Sequence, residues 1–498
     1  MNLIYKLYKI QLFSILGIFR VLLSILKEGV NLTTLLAWAA RTHGNKMAVV
    51  DENETLTYSE LYSQTLDLSA AIKQRYPKTK LKAAIIAKNS AELLKLIFAL
   101  SRSGADVYLL NVEIKPEQFQ RLQDRFVFDL VICDNDFYPV LESAACGAEF
   151  LKMSELDTLS SPDKFRLKRA YRGQLIVLSG GSTGDPKAAA RKPSLFHFLN
   201  PFFALLRDVE LDKYRSVYVA TPIYHGFGVA AVITGMALGA TLFLRRRFDA
   251  AEACAFVAKN NIEVITLVPL MLKRMLQHSA ESLAAVQAFL TGGAPLSPDV
   301  VVLTKEKAGN KLFNLYGTTE AGFCILAKPE DLKCSIITIG KPVKGVKLHI
   351  LDKNDRPVKQ GEIGRLCVKA AWSVKKSEFI ETGDLGYIDM EGLIYLRGRI
   401  DDMIVSGGEN VYPLELENIL LQHPDVDQAV VLGIEDPDFG QRLRAIVQPQ
   451  KDSAVNCEEL MSWLKQRATR YQMPKIIEFK EIAFSELGKV NKNNLIQN

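Results

Sequence analysis

One loop of the chain combines the residue types that bind phosphate groups. The segment Leu178-Ser-Gly-Gly-Ser-Thr-Gly-Asp-Pro-Lys187 follows an apolar run at 174–178 that predicts a buried strand. Glycines let backbone N–H groups converge on an anion, Ser182 and Thr183 add hydroxyl donors, and Lys187 supplies a positive charge. A Walker-type loop is excluded, because it requires glycine, lysine and a hydroxyl residue in direct succession. The segment therefore predicts contact with nucleotide phosphates, and a flexible linker is the alternative.

Further segments with small, hydroxyl-bearing and charged residues follow along the chain. They are Thr221-Pro-Ile-Tyr-His-Gly226, Gly292-Gly-Ala-Pro295, Asn314-Leu-Tyr-Gly-Thr-Thr-Glu320, Glu381-Thr-Gly-Asp384, Arg397-Gly-Arg-Ile-Asp-Asp-Met-Ile-Val-Ser-Gly-Gly-Glu-Asn410 and Leu487-Gly-Lys489. Together with the first loop, in this order, they resemble the adenylate-forming superfamily of acyl-CoA synthetases, luciferases and peptide-synthetase adenylation domains. The resemblance covers about residues 32–494. It implies that ATP activates a carboxylic acid as an acyl-adenylate.

The residue types suit this reaction, which needs charge neutralisation and alignment more than covalent help. The loop Gly293-Ala-Pro295 has little side-chain bulk, so a flat base can approach its backbone. The Asp384 carboxylate can accept hydrogen bonds from both ribose hydroxyls. The nucleotide-binding residues that the resemblance implies are Ser182, Thr183, Gly184, Lys187, Gly293, Ala294, Pro295, Asn314, Tyr316, Gly317, Thr318, Thr319, Asp384, Arg399 and Lys489.

The resemblance also implies catalytic, metal-binding and substrate-binding roles. The catalytic residues are Lys489, Lys187 and Glu320. Lys489 would bridge carboxylate and phosphate oxygens in the transition state. Glu320, with Thr183, would bind Mg²⁺. His225 and Gly317 would lie near the acid, and a buried structural role is the alternative for His225.

A second half-reaction is implied, in which the thiol of CoA attacks the acyl-adenylate. The resemblance places a hinge at Asp401, about which the C-terminal domain rotates and removes Lys489. Gly407 and Gly408 would then line a tunnel for the pantetheine arm, since glycines permit close backbone approach.

The identity of the acid and of its acceptor stays open. Residues 405–413 and 435–443 look most like fatty acyl-CoA synthetases, so a medium- or long-chain fatty acid is expected. The alternatives are transfer to acyl-carrier protein and an aromatic or succinylbenzoyl-type acid. From another class, a membrane-associated fatty-acid uptake protein without catalysis is considered. It would have no need for a lysine such as Lys489.

The N-terminal segment predicts contact with a membrane surface. Residues 1–26 are strongly apolar, but no uninterrupted stretch is long enough to cross a bilayer of about 30 Å. At 100° per residue one helix would carry a narrow polar stripe: Lys6, Lys9, Gly17, Arg20, Ser24 and Lys27. This pattern favours an interfacial helix with its basic residues at the headgroups. Packing of the helix on protein and a signal peptide are the alternatives.

Composition and hydropathy set the remaining expectations. A chain of 498 residues requires more than one core, and a formal charge of +6 gives little support for nucleic-acid binding. Seven scattered cysteines favour a reducing compartment, so we expect a cytoplasmic protein, peripheral on the inner face of a membrane.

Alternating helical and strand patterns predict the α/β class. We expect a large N-terminal domain with parallel-rich sheets and a β-rich subdomain, plus a small mobile α+β C-terminal domain. The predicted division is an N-terminal helix at 1–30, an adenylate-forming domain at 31–400 and a C-terminal domain at 401–498. The last boundary comes from the resemblance.

Overall fold

The computed structural model describes residues 3–141, 147–159, 167–170, 173–179, 187–191, 199–406, 409–485, 488–490, 492 and 495. For residues 140, 157, 158, 179 and 187–191 it describes the backbone alone. The chain forms two compact units, Met1–Leu267 with Ser282–Ala288, and Val268–Glu281 with Phe289–Asn498. The predicted boundary at Asp401 lies within the second unit and stays a prediction.

The first unit alternates strands and helices. Its strands are β1 (Met47–Val50), β2 (Thr55–Thr57), β3 (Lys82–Ile86), β4 (Asp106–Leu109), β5 (Leu130–Cys133), β6 (Glu149–Lys152), β7 (Leu175–Ser179), β8 (Lys187–Arg191), β9 (Ser216–Val219), β10 (Thr241–Phe243) and β11 (Val264–Leu267). Its helices are α1 (Leu3–Lys9), α2 (Ile15–Glu28), α3 (Leu32–His43), α4 (Tyr58–Arg75), α5 (Ala91–Ser103), α6 (Pro116–Phe126), α7 (Tyr138–Leu141), α8 (Leu199–Ala204), α9 (Gly226–Leu238) and α10 (Ala250–Lys259).

Two sheets of this unit are largely parallel. One has the order β6-β5-β3-β4-β7-β8, in which only β8 is antiparallel to its neighbour. The other contains β11-β9-β10-β1-β2, parallel except for β2. Strand β5 is buried along its length, and its continuous apolar run is typical of a parallel strand covered on both faces. The sequence pattern alone predicts strands at 83–87, 105–110 and 130–133, and β3, β4 and β5 begin and end within one residue of these bounds.

The N-terminal segment forms two helices, so the single continuous helix predicted from the hydropathy pattern is wrong. The chain turns at Gln11, whose φ is 61°, and Ser14 caps α2 by accepting a hydrogen bond from the Gly17 N–H at 2.9 Å. A Cβ atom at position 17 would lie 1.6 Å from the Gln11 carbonyl oxygen. The turn between α1 and α2 therefore requires glycine at this position.

Only part of the polar stripe faces the protein. Lys6, Gly17 and Ser24 are buried and Arg20 is half-buried, whereas Lys9 and Lys27 are exposed. Lys6 is 2% exposed, and its Nζ donates to the Leu206 carbonyl at 2.6 Å and lies 3.3 Å from Asp212 Oδ1. Lys9 Nζ lies 3.4 Å from the other oxygen of Asp212, whose side chain is fully buried. Lys6 therefore cannot reach lipid headgroups, which corrects its predicted role, and headgroup contact by Lys9 and Lys27 stays a prediction.

The apolar face of α1 and α2 is left exposed. The exposed large side chains of the two helices and of the turn between them are Ile4, Tyr5, Tyr8, Phe13, Ile15, Leu16, Ile18, Phe19, Leu22 and Leu26. Ile15 retains 92% of its accessible surface. An amphipathic helix on a globular protein normally buries this face, so the arrangement is the reverse of the usual one. No described helix is both long and apolar enough to cross a membrane.

The second unit is richer in strands. They are β12 (Ala288–Gly292), β13 (Leu312–Thr318), β14 (Gly322–Ala327), β15 (Thr338–Pro342), β16 (Lys347–Leu351), β17 (Gly364–Lys369), β18 (Ile380–Ile388), β19 (Ile394–Arg399), β20 (Ile404–Ser406), β21 (Glu409–Val411), β22 (Val426–Asp436), β23 (Gly440–Pro449) and β24 (Ile476–Phe479). The helices are α11 (Pro269–Ser279), α12 (Pro298–Ala308), α13 (Pro329–Cys334), α14 (Pro413–Leu420) and α15 (Cys457–Lys465).

These strands form two groups. The first follows the order β16-β17-β18-β19-β15-β14-β13-β12, antiparallel except for the parallel pair of β12 and β13. The second is a sheet of β20 to β24, on which α14 and α15 bury Leu416, Leu420, Leu460 and Leu464. The predicted α/β class is confirmed, with parallel-rich sheets, a β-rich section from Lys347 and a small α+β section at the C-terminus.

Candidate active site

The parallel pair β12 and β13 ends in residues predicted to bind the nucleotide base. Asn314 lies buried on β13, and its Oδ1 accepts a hydrogen bond from Thr291 Oγ1 on β12 at 3.2 Å. No described residue accepts a hydrogen bond from the Asn314 amide nitrogen, so that group can donate to a base edge. The loop Gly293-Ala-Pro295 follows the carboxyl end of β12, and Gly293 is exposed there with a φ of 81°. Ligands bind at such strand ends in parallel sheets.

Tyr316 and Asp384 are joined by a short hydrogen bond. The Tyr316 hydroxyl on β13 donates to Asp384 Oδ2 on β18 at 2.5 Å. Burial and the neighbouring Asp384 charge raise the pKa of Tyr316 well above its usual value, so the hydroxyl keeps its proton. The bond gives Tyr316 a positioning role toward the carboxylate, in addition to the stacking face predicted from sequence.

Asp384 lies opposite Arg399 on the neighbouring strand. Arg399 Nη1 is 3.2 Å from Asp384 Oδ1 and donates to the Thr382 carbonyl at 2.9 Å. Burial raises the pKa of Asp384, whereas Tyr316, Arg399 and Lys489 oppose that shift. The pair therefore forms a carboxylate–guanidinium surface suited to the hydroxyls of a ribose.

Local contacts explain the residue types of the Thr-Gly-Asp segment at 382–384. Thr382 Oγ1 accepts a hydrogen bond from the Asp384 N–H at 3.2 Å and fixes the carboxylate-bearing strand. Gly383 has a φ of 79°, and a Cβ atom there would lie 2.6 Å from Arg399 Nη2. Both the conformation and the close approach require glycine. Thr382 was part of the sequence motif, but its supporting role depends on a turn that the sequence pattern does not reveal.

Lys489 lies in a tight turn near the C-terminus. The Ser485 N–H donates to the Lys489 carbonyl at 2.9 Å, and the Gly488 N–H donates to the Ser485 carbonyl at 2.8 Å. Although the residue is exposed, packing around its ammonium group and the Arg399 charge lower the pKa of Lys489, and the Asp384 charge opposes them. The structure thus brings Lys489, Asp384 and Arg399 into one electrostatic neighbourhood.

The Tyr-Gly-Thr-Thr-Glu segment forms the end of β13 and the turn into β14. Ala321 N–H donates to Thr318 Oγ1 at 3.1 Å, which closes the turn that also holds Thr319 and Glu320. A Cβ atom on Gly317 would lie 2.2 Å from a carbonyl oxygen of β14, so the strands approach here because this residue is glycine. The predicted phosphate-binding hydroxyls and the predicted metal ligand are therefore presented by one turn.

Glu320 meets the requirements of a Mg²⁺ ligand. It is half-buried, and its carboxylate accepts no hydrogen bond from any described residue. Mg²⁺ in nucleotide sites takes one or two carboxylates and completes its shell with phosphate oxygens and water. The donor set of this turn fits that pattern, since a single free carboxylate lies beside two hydroxyl groups.

A different carboxylate cluster has a structural explanation. Among the described residues, His423, Asp425 and Glu459 lie close enough together to be possible metal ligands. His423 Nδ1, however, already accepts a hydrogen bond from the Asp425 N–H at 3.2 Å, and its ring packs edge-on against Trp463. These contacts give His423 a structural role in the turn that follows α14.

Several predicted site residues are not tested by this geometry. Ser182, Thr183, Gly184, Gly407 and Gly408 lie outside the described residues.

Other predicted residues are placed without their role being tested. Lys187 begins β8 opposite Ser179 on β7, so the two paired strands flank the predicted phosphate loop. His225 precedes α9 in the first unit, half-buried, with its ring 4.6 Å from that of Tyr224. The proposed hinge residue Asp401 is exposed, 3.8 Å from Arg399 Nη2.

The fold and this group of side chains define a class of enzyme that handles the ribose and phosphates of a nucleotide. Comparison with known families gives the particular one. Residues 36–376 match the model of the AMP-binding enzyme, and residues 415–489 match that of the AMP-binding enzyme C-terminal domain. The chain belongs to the AMP-binding enzyme family, which confirms the predicted adenylate-forming superfamily.

The similar curated proteins include several CoA ligases. The 2-succinylbenzoate–CoA ligase of Geobacillus kaustophilus (strain HTA426) is 28% identical over 453 residues, covering 87% of this chain and 91% of the relative. The feruloyl-CoA synthase of an Amycolatopsis species is 26% identical and covers 92% and 96%. The solved o-succinylbenzoate CoA synthetase of Bacillus subtilis, in complex with its acyl-adenylate intermediate, gives a TM-score of 0.81 at 24% identity over 93% and 97% of the two chains. This chain is an AMP-forming acid–thiol ligase.

Proposed function

We propose that the protein joins an aromatic or aryl-substituted carboxylic acid to CoA in two steps. The geometric observation that carries the first step is the grouping of Asp384, Arg399 and Lys489 beside the Tyr-Gly-Thr-Thr-Glu turn. The relatives support an aryl acid over the fatty acid expected from sequence, because those named above act on succinylbenzoate and ferulate.

In the first step, the acid carboxylate attacks the α-phosphorus of ATP. The new bond joins the carboxylate oxygen to phosphorus, and the bond to the β-phosphate oxygen breaks, so pyrophosphate leaves. The Asp384 carboxylate holds the ribose hydroxyls, and the Lys489 ammonium offsets the charge that develops on the phosphorus oxygens. Glu320 would hold a Mg²⁺ ion, which would supply positive charge that screens the phosphates. No general base is required, because a carboxylate is already ionised at neutral pH.

In the second step, the CoA thiol attacks the acyl carbon and AMP leaves with its phosphate oxygen. The predicted hinge at Asp401 and the glycines at 407 and 408 belong to this part of the proposal. Transfer to an acyl-carrier protein would use the same pantetheine chemistry and stays an alternative acceptor.

A panel of acids tests the reaction and its substrate class together. Succinylbenzoate, ferulate, octanoate and palmitate are each incubated with ATP and Mg²⁺, with and without CoA, and the products are separated. We expect AMP, pyrophosphate and an aryl-CoA. Formation of ADP and phosphate would contradict adenylation, and turnover of the fatty acids alone would restore the fatty-acid assignment.

The exposed apolar face of α1 and α2 supports a second element of the proposal, contact with a lipid bilayer interface. The Lys6–Asp212 pair holds the start of the polar stripe inward, and the segment presents Phe13, Ile15 and Phe19 to the outside. The tyrosines of α1 have the amphipathic rings that favour the headgroup level. Few basic residues remain on this face, so binding should depend on apolar insertion more than on charge. A fatty acid taken from a membrane, the second candidate substrate, is favoured by this surface.

Co-sedimentation with vesicles tests this contact. Vesicles of phosphatidylcholine, alone or mixed with phosphatidylglycerol, are used with Phe19→Glu and with Met390→Glu, which changes a residue that is 86% exposed elsewhere. We expect Phe19→Glu to weaken pelleting on both vesicle types and Met390→Glu to have no effect. Equal pelleting of both variants and the parent chain would exclude α2 from membrane binding.

A further inference from the structure

Helix α11 carries a buried lysine that has acceptors on two different segments. Lys273 has a side chain only 6% exposed, and its Nζ lies 3.0 Å from Asp299 Oδ2 at the start of α12. It also lies 2.9 Å from Asp427 Oδ1 and donates to the Asp427 carbonyl at 2.6 Å, on β22 of the C-terminal sheet. A buried ammonium group needs such partners, because its desolvation is otherwise uncompensated. Lys273 therefore ties the C-terminal sheet to α11 and α12.

The start of the same helix contacts the turn of Lys489. A Cβ atom on Gly488 would lie 3.2 Å from Val268 Cγ2 and 3.4 Å from Leu270 Cβ. Gly488 has a φ of 64°, so it both forms the turn and allows the close approach. The C-terminal segment thus touches α11 near its beginning, through Gly488, and one helical turn later, through Asp427.

The two contacts belong to one packed body. Phe484 and Val490, which flank the Lys489 turn, pair with each other and pack on a core that includes Val430 of β22 and Ile446 of β23. Since core packing is close and transmits displacement, the position of β22 fixes the position of the turn. Asp427 is held in turn by Gln448, whose Nε2 donates to Asp427 Oδ2 at 3.0 Å.

We infer that Lys273 is a positioning residue for adenylation: it clamps β22 to α11 and thereby holds the Lys489 ammonium beside Asp384 and Arg399. Lys273 acts through Asp427, and nothing in its contacts places it on the nucleotide. The inference rests on the proposed function, because it assigns Lys489 to the adenylation step.

The test compares Lys273→Met and Asp427→Asn with Lys307→Met. Lys307 also packs on α11, donating to the Leu276 carbonyl at 3.0 Å, but its described contacts do not include the C-terminal sheet. Acid-dependent exchange of pyrophosphate into ATP reports adenylation, and thioester formation from supplied acyl-adenylate and CoA reports the second step. We expect the two clamp variants to lower kcat of the exchange at least tenfold with less than a twofold change in KM for ATP. Both clamp variants should form the thioester from supplied acyl-adenylate at the parent rate. Lys307→Met should match the parent chain in both assays.

Coupling to Lys489 separates positioning from a general loss of stability. In a Lys489→Ala background, Lys273→Met should cause no further loss of exchange, because the clamp acts only through that ammonium group. Additive losses, or equal losses in both half-reactions, would overturn the inference.

Hydrogen exchange gives a readout that does not depend on the reaction. Lys273→Met should raise exchange in peptides covering β22 and the turn at 485–489 of the full chain, and Lys307→Met should not. Unchanged exchange there overturns the clamp even if the parent enzyme adenylates acids. If the parent chain shows no acid-dependent pyrophosphate exchange, the proposed function is refuted. Hydrogen exchange would still show whether Lys273 holds β22 against α11.

Discussion

Replacing Lys489 should reduce adenylation and change its dependence on pH. Its ammonium group lies in the field of Asp384 and Arg399. Under the proposed function it is the preorganised charge that offsets the charge developing on the phosphate. Removal of a single group of this kind costs about 10²–10³ in kcat, or about 2.7–4 kcal/mol. We therefore expect Lys489→Ala to lose at least about a hundredfold in pyrophosphate exchange, with thioester formation from supplied acyl-adenylate retained.

The direction of the pH effect follows from the environment of the ammonium group. Desolvation and Arg399 lower the pKa of Lys489 below the ordinary lysine value of 10.5, and Asp384 only partly restores it. Since the charged form is the active one, adenylation should decline as the pH rises, and the decline should begin below the pH at which a free lysine deprotonates. Lys489→Arg keeps a charge that titrates only above about pH 12, so the alkaline decline should disappear.

The assay is pyrophosphate exchange at saturating ATP and acid from neutral to alkaline pH. CoA is left out, so that ionisation of its thiol does not contribute. Lys489→Arg retains the charge but has a bulkier head group, so we expect a lower absolute rate. The informative quantity is how the rate of this variant depends on pH. An unchanged alkaline limb in Lys489→Arg would assign that limb to another group and refute the reasoning.

Three further outcomes are expected. Asp212→Asn leaves the Lys6 ammonium buried without its closest carboxylate, so a urea titration followed by a probe on α1 should show a loss of about 3–5 kcal/mol; a shift below the error of the titration would contradict this. Tyr316→Phe removes the hydrogen bond that lowers the pKa of Asp384, so KM for ATP should rise by up to about tenfold, and rise most at low pH, where more of that carboxyl is protonated. Glu320→Gln should raise the Mg²⁺ concentration needed for half-maximal adenylation while leaving the melting temperature unchanged, and identical Mg²⁺ titrations would count against the metal assignment.

Elements with continuous local patterns could be predicted from the sequence. The strand at Leu130–Cys133 is four apolar residues, and the helix at Ala91–Ser103 has a serine cap before it and a glycine in the left-handed region after it. The direction in which Lys6 points could not be predicted in this way. Its ammonium group is buried against Asp212, which is far away in the sequence, and the hydropathy of the N-terminal segment holds no information about that contact.

In the candidate site too, residues in local motifs could be predicted from the sequence, whereas contacts between distant strands could not. Asp384, Arg399 and Lys489 were identified because they stand in motifs, and the structure places them in one neighbourhood. The bond between Tyr316 and Asp384 depends on how β13 and β18 are placed across several intervening strands. Such a pairing is a property of strand order and register, which the residue types alone do not determine.

The ion pair of Lys6 with Asp212 has a consequence for folding during synthesis on the ribosome. The partner of Lys6 lies 206 positions further along the chain (212 − 6), so it does not exist when α1 leaves the ribosome. At roughly 5–20 residues per second, the apolar N-terminal helices wait roughly 10–40 s before their docking carboxylate is synthesised. During that interval Asp212 is not available to Lys6, so the native ion pair cannot form. The order of translation therefore leaves the apolar N-terminal helices without their docking carboxylate until residue 212 has been synthesised.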